Sequence, residues 1–148
     1  MKEAPKELNA KAYSMILKEE EMLSQWLDKQ LKAELIVESN SRYVALCFFI
    51  PKKNRTLRLV KDYRQLNQHT IKDKTLLPLI NEVIDKLKNT KYFNKLDLIW
   101  GYNTIWIKEG NEWKAAFLTN KGQFEPKVMY FGLCNSPGIF QQMMTSIF

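Results

Sequence analysis

The sequence predicts an α+β fold in which helices pack against an antiparallel sheet. Three observations support this class. A helical pattern of apolar residues comes early, two β-rich runs are joined by a short polar connector, and two further β-rich runs precede a final helical stripe. With 148 residues and 45% hydrophobic content, the chain is long and apolar enough for one core, as a whole domain or as a piece of a larger one.

The first helix is expected from Lys11 to about Leu35. Its apolar residues recur at spacings of three, four and seven among many Lys and Glu, which is the pattern of an amphipathic helix. The stripe consists of Ile16, Leu23, Trp26, Leu27 and Leu31. Packing of this stripe on its own domain is favoured over a coiled coil with a partner.

An antiparallel hairpin is expected from the runs Arg42 to Ile50 and Leu57 to Tyr63, which are rich in Val, Leu, Phe and Tyr. The connector PKKNRT places Lys52, Lys53 and Arg55 at its tip. After Pro78, a further apolar stripe predicts a helix with proline in its first turn. That stripe consists of Leu79, Ile80, Val83, Ile84 and Leu87.

The second half of the chain predicts three strands and a helix. KYFNKLDL is expected to be a short buried strand, and EWKAAFLT and QFEPKVMYF two more strands around the turn NKGQ. CNSPGIFQQMMTSIF predicts a helix capped by Asn135 or Ser136, with Pro137 in its first turn. Because its apolar stripe continues to Phe148 without a stop signal, we expect a truncated domain.

The positive charge is concentrated in one stretch. Residues 42–74 contain nine Lys and Arg and two Asp, so this stretch carries the whole formal excess of +7. A solvated basic face is the plain explanation of such a run, but this concentration beside a hairpin favours a polyanionic partner.

The sequence disfavours several other classes of protein and of functional site. The longest uncharged apolar run, Tyr43 to Ile50, is too short to span a membrane, and no signal segment opens the chain, so an intracellular protein (cytoplasmic or nuclear, not secreted) is expected. Cys47 and Cys134 are far apart and are expected to be buried reduced thiols. The sequence contains no phosphate-binding glycine loop, nucleophile elbow or zinc spacing.

Asp97 lies within the apolar and aromatic run YFNKLDLIWGYN. A buried ionised carboxylate needs a partner. Beside a basic hairpin, that partner could be a divalent cation holding a polyphosphate, since Mg²⁺ prefers carboxylates together with phosphate oxygens. A helix-capping Asp would account for the three residues LDL equally well.

The order of motifs resembles the reverse transcriptase of gypsy-type LTR retrotransposons from about Leu35 to Phe148. The matching segments are PKKNRTLRLVKDYRQLNQHTI, LPLINEVIDKLKNTKYFNKLDLIWGYNTIWI, EWKAAFLTNKGQFE and VMYFGLCNSPGIFQQMM. The resemblance implies right-hand polymerase fingers and an incomplete palm. Residues 1–35 would form the leading helix, residues 36–90 the fingers with the basic hairpin, and residues 91–148 a partial palm.

The resemblance also implies RNA-directed DNA synthesis, with an RNA or DNA template-primer and dNTP as partners and Mg²⁺ or Mn²⁺ as cofactor. Asp97 would hold both catalytic ions, with the backbone carbonyl of Leu98 on the nucleotide-bound one, and Tyr102 would exclude a ribose 2′-OH. Lys52 or Lys53, Arg58, Phe131 and Gly132 would bind the nucleotide. Arg64, Asn135, Ser136, Pro137 and Gln141 would contact nucleic acid.

The family's other catalytic carboxylates come from a Tyr-x-Asp-Asp turn, and this sequence contains no Asp-Asp pair. We therefore expect metal binding only with a completed palm, and no polymerase activity from this chain without the remaining palm, thumb and RNase H portions of the parent polyprotein. The alternatives are a non-catalytic module that binds single-stranded nucleic acid, or a decayed transposon relic without function.

The chain departs from the family pattern at several positions. The fingertip reads Asn54-Arg55 instead of Asp-Gly, and if that turn requires a positive φ, Arg55 costs about 1 kcal/mol relative to Gly. Ile99 replaces an Arg after LDL, and Lys61 replaces an uncharged residue in the second hairpin strand. Leu46 and Leu76 stand where the family usually has proline.

Overall fold

The computed structural model describes residue 5 and residues 7–8, 12–53, 55–75, 79–95 and 97–147. Its helices are α1 (Leu17–Lys32), α2 (Arg64–His69), α3 (Ile80–Leu87) and α4 (Ser136–Ile147). Its strands are β1 (Ile36–Glu38), β2 (Ala45–Pro51), β3 (Leu57–Asp62), β4 (Phe117–Thr119) and β5 (Gly122–Pro126). The predicted α+β class is confirmed.

All five strands form one sheet in the order β1-β5-β4-β2-β3. The expected β2–β3 hairpin pairs antiparallel, with Cys47 opposite Lys61. The strands expected around NKGQ also pair antiparallel, with Phe117 opposite Phe124, but the first is shorter than predicted because Glu112–Ala115 forms a 3₁₀ turn. The pairing of β2 with β4 is parallel and was not expected. The long connection between β3 and β4 allows this pairing, because parallel neighbouring strands require a crossover connection.

Helix α1 is shorter than the periodicity predicts. It begins at Leu17, where the Glu19 carboxylate accepts the backbone N–H of Ile16 at 3.0 Å. It ends at Lys32, and Glu34 follows in the left-handed region with φ 55°. Ile16 is therefore exposed, while Leu23 and Leu27 lie in the core.

The core lies between α1 and the sheet. Trp26 meets the rings of Phe117 and Tyr130 at centroid distances of 6.1 Å each. Gln30 shares the buried face of α1, and its amide oxygen accepts the Tyr130 hydroxyl at 2.8 Å. This bond allows a polar side chain to be buried, since an unpaired one would be costly.

The segment before the 3₁₀ turn at Gly101–Thr104 contradicts one expectation. KYFNKLDL was predicted to be a buried strand, but its described residues, 91–95 and 97–98, are irregular and exposed. Tyr92 is 90% exposed, and helix α3 beside it has no buried residue. No described element covers this apolar surface, which explains why an apolar composition did not produce burial. The expected Pro78 start of α3, Leu76 and Asn54 lie outside the described residues.

The division of the chain at residues 35 and 90 stays a prediction. Strands β4 and β5 pair with β2 and β1, so residues assigned to the partial palm share a sheet with the expected fingers. Among the described helices, none has the length and apolar content needed to cross a membrane.

Candidate nucleotide-binding site

Tyr102 and Phe131, two predicted nucleotide-binding residues, are in direct contact. Their ring centroids lie 4.5 Å apart with the planes at 65°, and Phe140 of α4 lies 5.3 Å from Tyr102 on an edge-to-face approach. Edge-to-face contact is a favoured geometry for aromatic pairs. Gly101 permits it, because a Cβ there would lie 2.9 Å from the Phe140 ring. Phe131 is 68% exposed, so this cluster presents an aromatic surface to solvent.

Gly132 is required by the path of the chain. Its φ is 102°, and a Cβ would lie 3.3 Å from both the Lys61 carbonyl oxygen and the Tyr63 ring. A side chain here would therefore be strained by the backbone angle and also crowded by its neighbours.

Asn67 of α2 holds this glycine segment, and sequence reasoning did not identify it. Its Nδ2 donates to the Gly132 carbonyl at 2.7 Å, and its Oδ1 accepts the Cys134 backbone N–H at 2.9 Å. Both ends of one amide thus fix the backbone that follows Phe131. In the sequence, Asn67 is simply a polar residue next to Leu66. Helix α2 has six residues, which is too short for a periodic pattern to show which of its side chains face the core.

Asn135 and Ser136, predicted to contact nucleic acid, are occupied by internal hydrogen bonds. Asn135 accepts the Asp73 N–H at 3.0 Å and donates to the Ile71 carbonyl at 2.9 Å. Ser136 is buried and donates to the Tyr130 carbonyl at 3.3 Å. In this conformation both residues brace the start of α4, while Pro137 is exposed and Gln141 donates to Thr145.

The hairpin tip displays an unneutralised positive charge. Lys52, Lys53, Arg55 and Arg58 are all exposed. None of them is ion-paired within the described part of the chain. An exposed arginine fork and flexible lysine ammonium groups are suited to phosphate oxygens.

Arg64 differs from these cations because it already has a partner. Its Nη2 lies 2.6 Å from Oδ2 of Asp62, and its Nε donates to the same carboxylate at 2.9 Å. Hydrogen bonds from Arg64 lower the pKa of Asp62. Any phosphate bound by Arg64 would therefore compete with Asp62.

Asp97 is exposed, so the expectation that it lies in a buried strand was wrong. Nearby, Trp100 has φ 59° and is 58% exposed. This left-handed conformation is rare for a bulky residue, and such outliers are concentrated at functional sites.

The residues do not by themselves fit a two-metal centre. No group of three or more His, Cys, Asp or Glu side chains in the described ranges is arranged to hold a metal ion. Asp97 could supply one carboxylate and Leu98 one backbone carbonyl, which falls short of what two ions require.

The fold matches reverse transcriptase structures from foamy virus. A protease–reverse transcriptase of prototype foamy virus aligns with a TM-score of 0.85 and 23% identity over 99% of this chain and 20% of that one. A foamy viral protease–reverse transcriptase in complex with an RNA/DNA hybrid aligns with a TM-score of 0.80 and 20% identity over 97% of this chain and 19% of that one. At these identities the likeness concerns the fold, which is that of fingers and palm.

Sequence comparison defines the family. The model of the family "Reverse transcriptase (RNA-dependent DNA polymerase)" matches residues 50–148, and the chain belongs to this family. It is 36% identical to the Tf2-3 transposon polyprotein of Schizosaccharomyces pombe over 82% of this chain and 9% of the polyprotein. It is also 36% identical to the Pol polyprotein of the Drosophila melanogaster transposon opus, over 93% of this chain and 14% of that one. The chain thus spans a small fraction of these relatives.

Proposed function

We propose that this chain forms the fingers and part of the palm of a gypsy-type LTR retrotransposon reverse transcriptase. The observation that carries the proposal is the contact of Tyr102 with Phe131, which joins two predicted nucleotide-pocket residues from distant segments. The similarity to the Tf2-3 and opus polyproteins supports a retrotransposon origin. The proposed location is intracellular.

The proposed parent activity is RNA-directed DNA synthesis. The oxygen of a primer 3′-hydroxyl forms a bond to the α-phosphorus of a dNTP and gives up its proton to water, the bond to the β,γ-phosphates breaks, and pyrophosphate leaves. Lys52 or Lys53, together with Arg58, would bind the triphosphate through charge-assisted hydrogen bonds, and the exposure of these cations supports this role. The flat ring of Tyr102 would reject a 2′-hydroxyl by contact. The foamy viral protease–reverse transcriptase structures in complex with an RNA/DNA hybrid and with double-stranded DNA support a template-primer as partner.

This chain alone is proposed to be inactive. Mg²⁺ or Mn²⁺ would require further carboxylates beside Asp97, and the sequence has no Asp-Asp pair. Primer extension on an RNA template with dNTP and Mg²⁺ should give no incorporation. Incorporation by the purified chain that disappears in Asp97→Asn would contradict this proposal.

A second candidate function is non-catalytic binding of single-stranded nucleic acid, favoured by the exposed cations of the hairpin tip, which form no ion pair with any residue that the structure describes. It predicts salt-sensitive binding of single-stranded RNA that falls on charge reversal of Lys52, Lys53 and Arg58. Asp97→Ala serves as the matched control and should leave that affinity unchanged. An affinity for single-stranded RNA that changes neither with salt concentration nor on charge reversal would eliminate this candidate function.

A decayed relic without function is the third alternative. The exposed apolar surface of α3 and of residues 91–95 and 97–100 is the feature that favours it. Thermal unfolding of the purified chain distinguishes the cases, because a relic that no longer folds would show no cooperative transition.

A further inference from the structure

A cavity of about 490 Å³ lies between α2, the segment 105–108 and the start of α4. It lies outside the aromatic cluster, since neither Tyr102 nor Phe131 contributes to its lining. Of the predicted site residues, Asn135 and Ser136 belong to its wall. Its volume is in the range of small-molecule sites, which is about 300–1,000 Å³.

The wall of the cavity is mainly apolar. Of its lining residues, Leu66 and Met129 are buried, whereas Trp106 is 63% exposed. The remaining aliphatic lining consists of Ile71, Ile105, Ile107, Ala115, Leu133 and Ile139. Such a surface suits a ring or chain of comparable size, because apolar area removed from water is the main source of binding free energy.

The polar groups of the wall are largely satisfied within the protein. Asn67 bonds to Gly132 and Cys134, Asn135 bonds to Ile71, and the Thr70 hydroxyl donates to the Leu66 carbonyl. The Asn67 and Asn135 bonds hold α2 and Ile71 against the residues before α4, so the cavity is organised before a ligand arrives. Preorganisation reduces the ordering cost of binding.

The charged side chains among the described lining residues are all positive. Lys108 and Lys114 belong to it, and among the described lining residues there is no Asp or Glu. Lys114 donates to the neutral amide oxygen of Asn111, and it has no ion pair within the described ranges of the chain. An apolar cavity lined by two cations favours a ligand that combines an apolar ring or chain with a negatively charged group.

We propose that this cavity binds a small aromatic carboxylate, with the ring against the aliphatic wall and the carboxylate toward Lys108 and Lys114. The site is separate from the proposed polymerase chemistry and requires no metal ion.

Two matched probes test the charge selection. Naphthalene-1-acetate and naphthalene-1-acetamide share one ring system and differ in charge, and calorimetric titration of the purified chain measures both affinities. We expect the carboxylate to bind about five-fold more tightly at low salt, the scale of partly exposed charge pairs. The double variant Lys108→Gln/Lys114→Gln should lose this preference while keeping its affinity for the amide. Lys121→Gln, an exposed lysine at the β4–β5 turn, should keep the preference.

Cys134 reports whether the probe occupies the cavity rather than the exposed apolar surface of α3. It lines the cavity and is partly exposed, whereas Cys47 is buried. Naphthalene-1-acetate should slow alkylation of Cys134 by iodoacetamide at the concentrations that give calorimetric binding. Equal affinities for the two probes, or binding without Cys134 protection, would overturn the proposal. So would protection of Cys134 by single-stranded RNA but not by the carboxylate, since the cavity would then belong to a nucleic-acid path.

Discussion

The ammonium group of Lys61 lies 3.6 Å from the ring centroid of Tyr130, on the core side of β3. The rings of Trp26 and Phe117 are also close, at 4.3 and 4.9 Å. Lys61 is only 6% exposed and has no carboxylate partner within the described residues. Burial lowers its pKa from 10.5 to about 8, despite the neighbouring Cys47. Three aromatic faces offset part of the desolvation cost of this charge.

Replacing Lys61 with an apolar residue should therefore stabilise the protein. We expect Lys61→Met to raise the free energy of unfolding at pH 7 by about 1–3 kcal/mol, the desolvation cost less the cation–π attraction. Urea unfolding measures the change, with Lys121→Met as a matched exposed-lysine control that should change little. A less stable Lys61→Met protein would mean that the cation–π attraction exceeds the cost of burial.

The same lysine should make stability rise with pH in a defined window. Because its pKa is lower in the folded state than its ordinary 10.5, the unfolded chain binds more protons from about pH 8 upward, and folding gains stability as pH rises. Above pH 9 this gain is opposed by Cys47, whose pKa burial raises from 9.0 to about 12. The raised pKa values of Tyr63 and Tyr130 oppose it further above pH 10.

The net rise should therefore be visible between about pH 8 and pH 9. Urea unfolding at pH 7.5 and pH 9 measures it, and Lys61→Met should lack the rise because its folded and unfolded states bind no proton at this position. A rise of equal size in Lys61→Met would assign the effect to another group.

The sequence predicted the parts of the fold whose signals are local. The β2–β3 hairpin and α4 were expected because alternation, turn residues and capping residues act within a few positions. Strand β1 has three residues and is fixed by its ladder to β5, with Ile36 opposite Pro126, so its signal lies at the far end of the chain. The burial of residues 91–95, 97 and 98 was misjudged because composition shows which residues are apolar but not whether another element covers them.

In the candidate site, too, residues within a local motif were predicted, whereas residues whose role depends on long-range contacts were not. Motif resemblance named Tyr102 and Phe131 as nucleotide-binding residues, which stays a prediction, and the structure shows their two rings in contact. It could not identify Asn67, since the two backbone groups that Asn67 binds lie about 65 residues further along the chain. Nor could it show that Asn135 is engaged with residues 71 and 73.

The hairpin tip contains a correctable strain. Arg55 has φ 62°, as the departure from the family's Asp-Gly turn suggested, and its N–H donates to the Lys52 carbonyl at 2.9 Å. Arg55→Gly should raise the free energy of unfolding by about 1 kcal/mol, because glycine has no Cβ to clash in this region. Lys53→Gly provides the matched control: it removes a neighbouring charge at a position without positive φ and should be neutral or slightly destabilising. Equal effects of the two substitutions would show that charge removal, not backbone relief, is responsible.

Asn67 offers the sharpest test of how the aromatic cluster is held. Asn67→Ala removes two hydrogen bonds and leaves the Gly132 carbonyl and the Cys134 N–H without this partner, so we expect a loss of about 2–3 kcal/mol in the free energy of unfolding. The freed segment should also loosen the Phe131 ring against Tyr102, which reduces the near-ultraviolet circular dichroism of the folded protein at temperatures well below unfolding. Gln68→Ala, an exposed neighbour on α2, should leave both signals unchanged. A destabilised Asn67→Ala protein with an unaltered aromatic spectrum would show that α2 supports the fold without positioning the Tyr102–Phe131 pair.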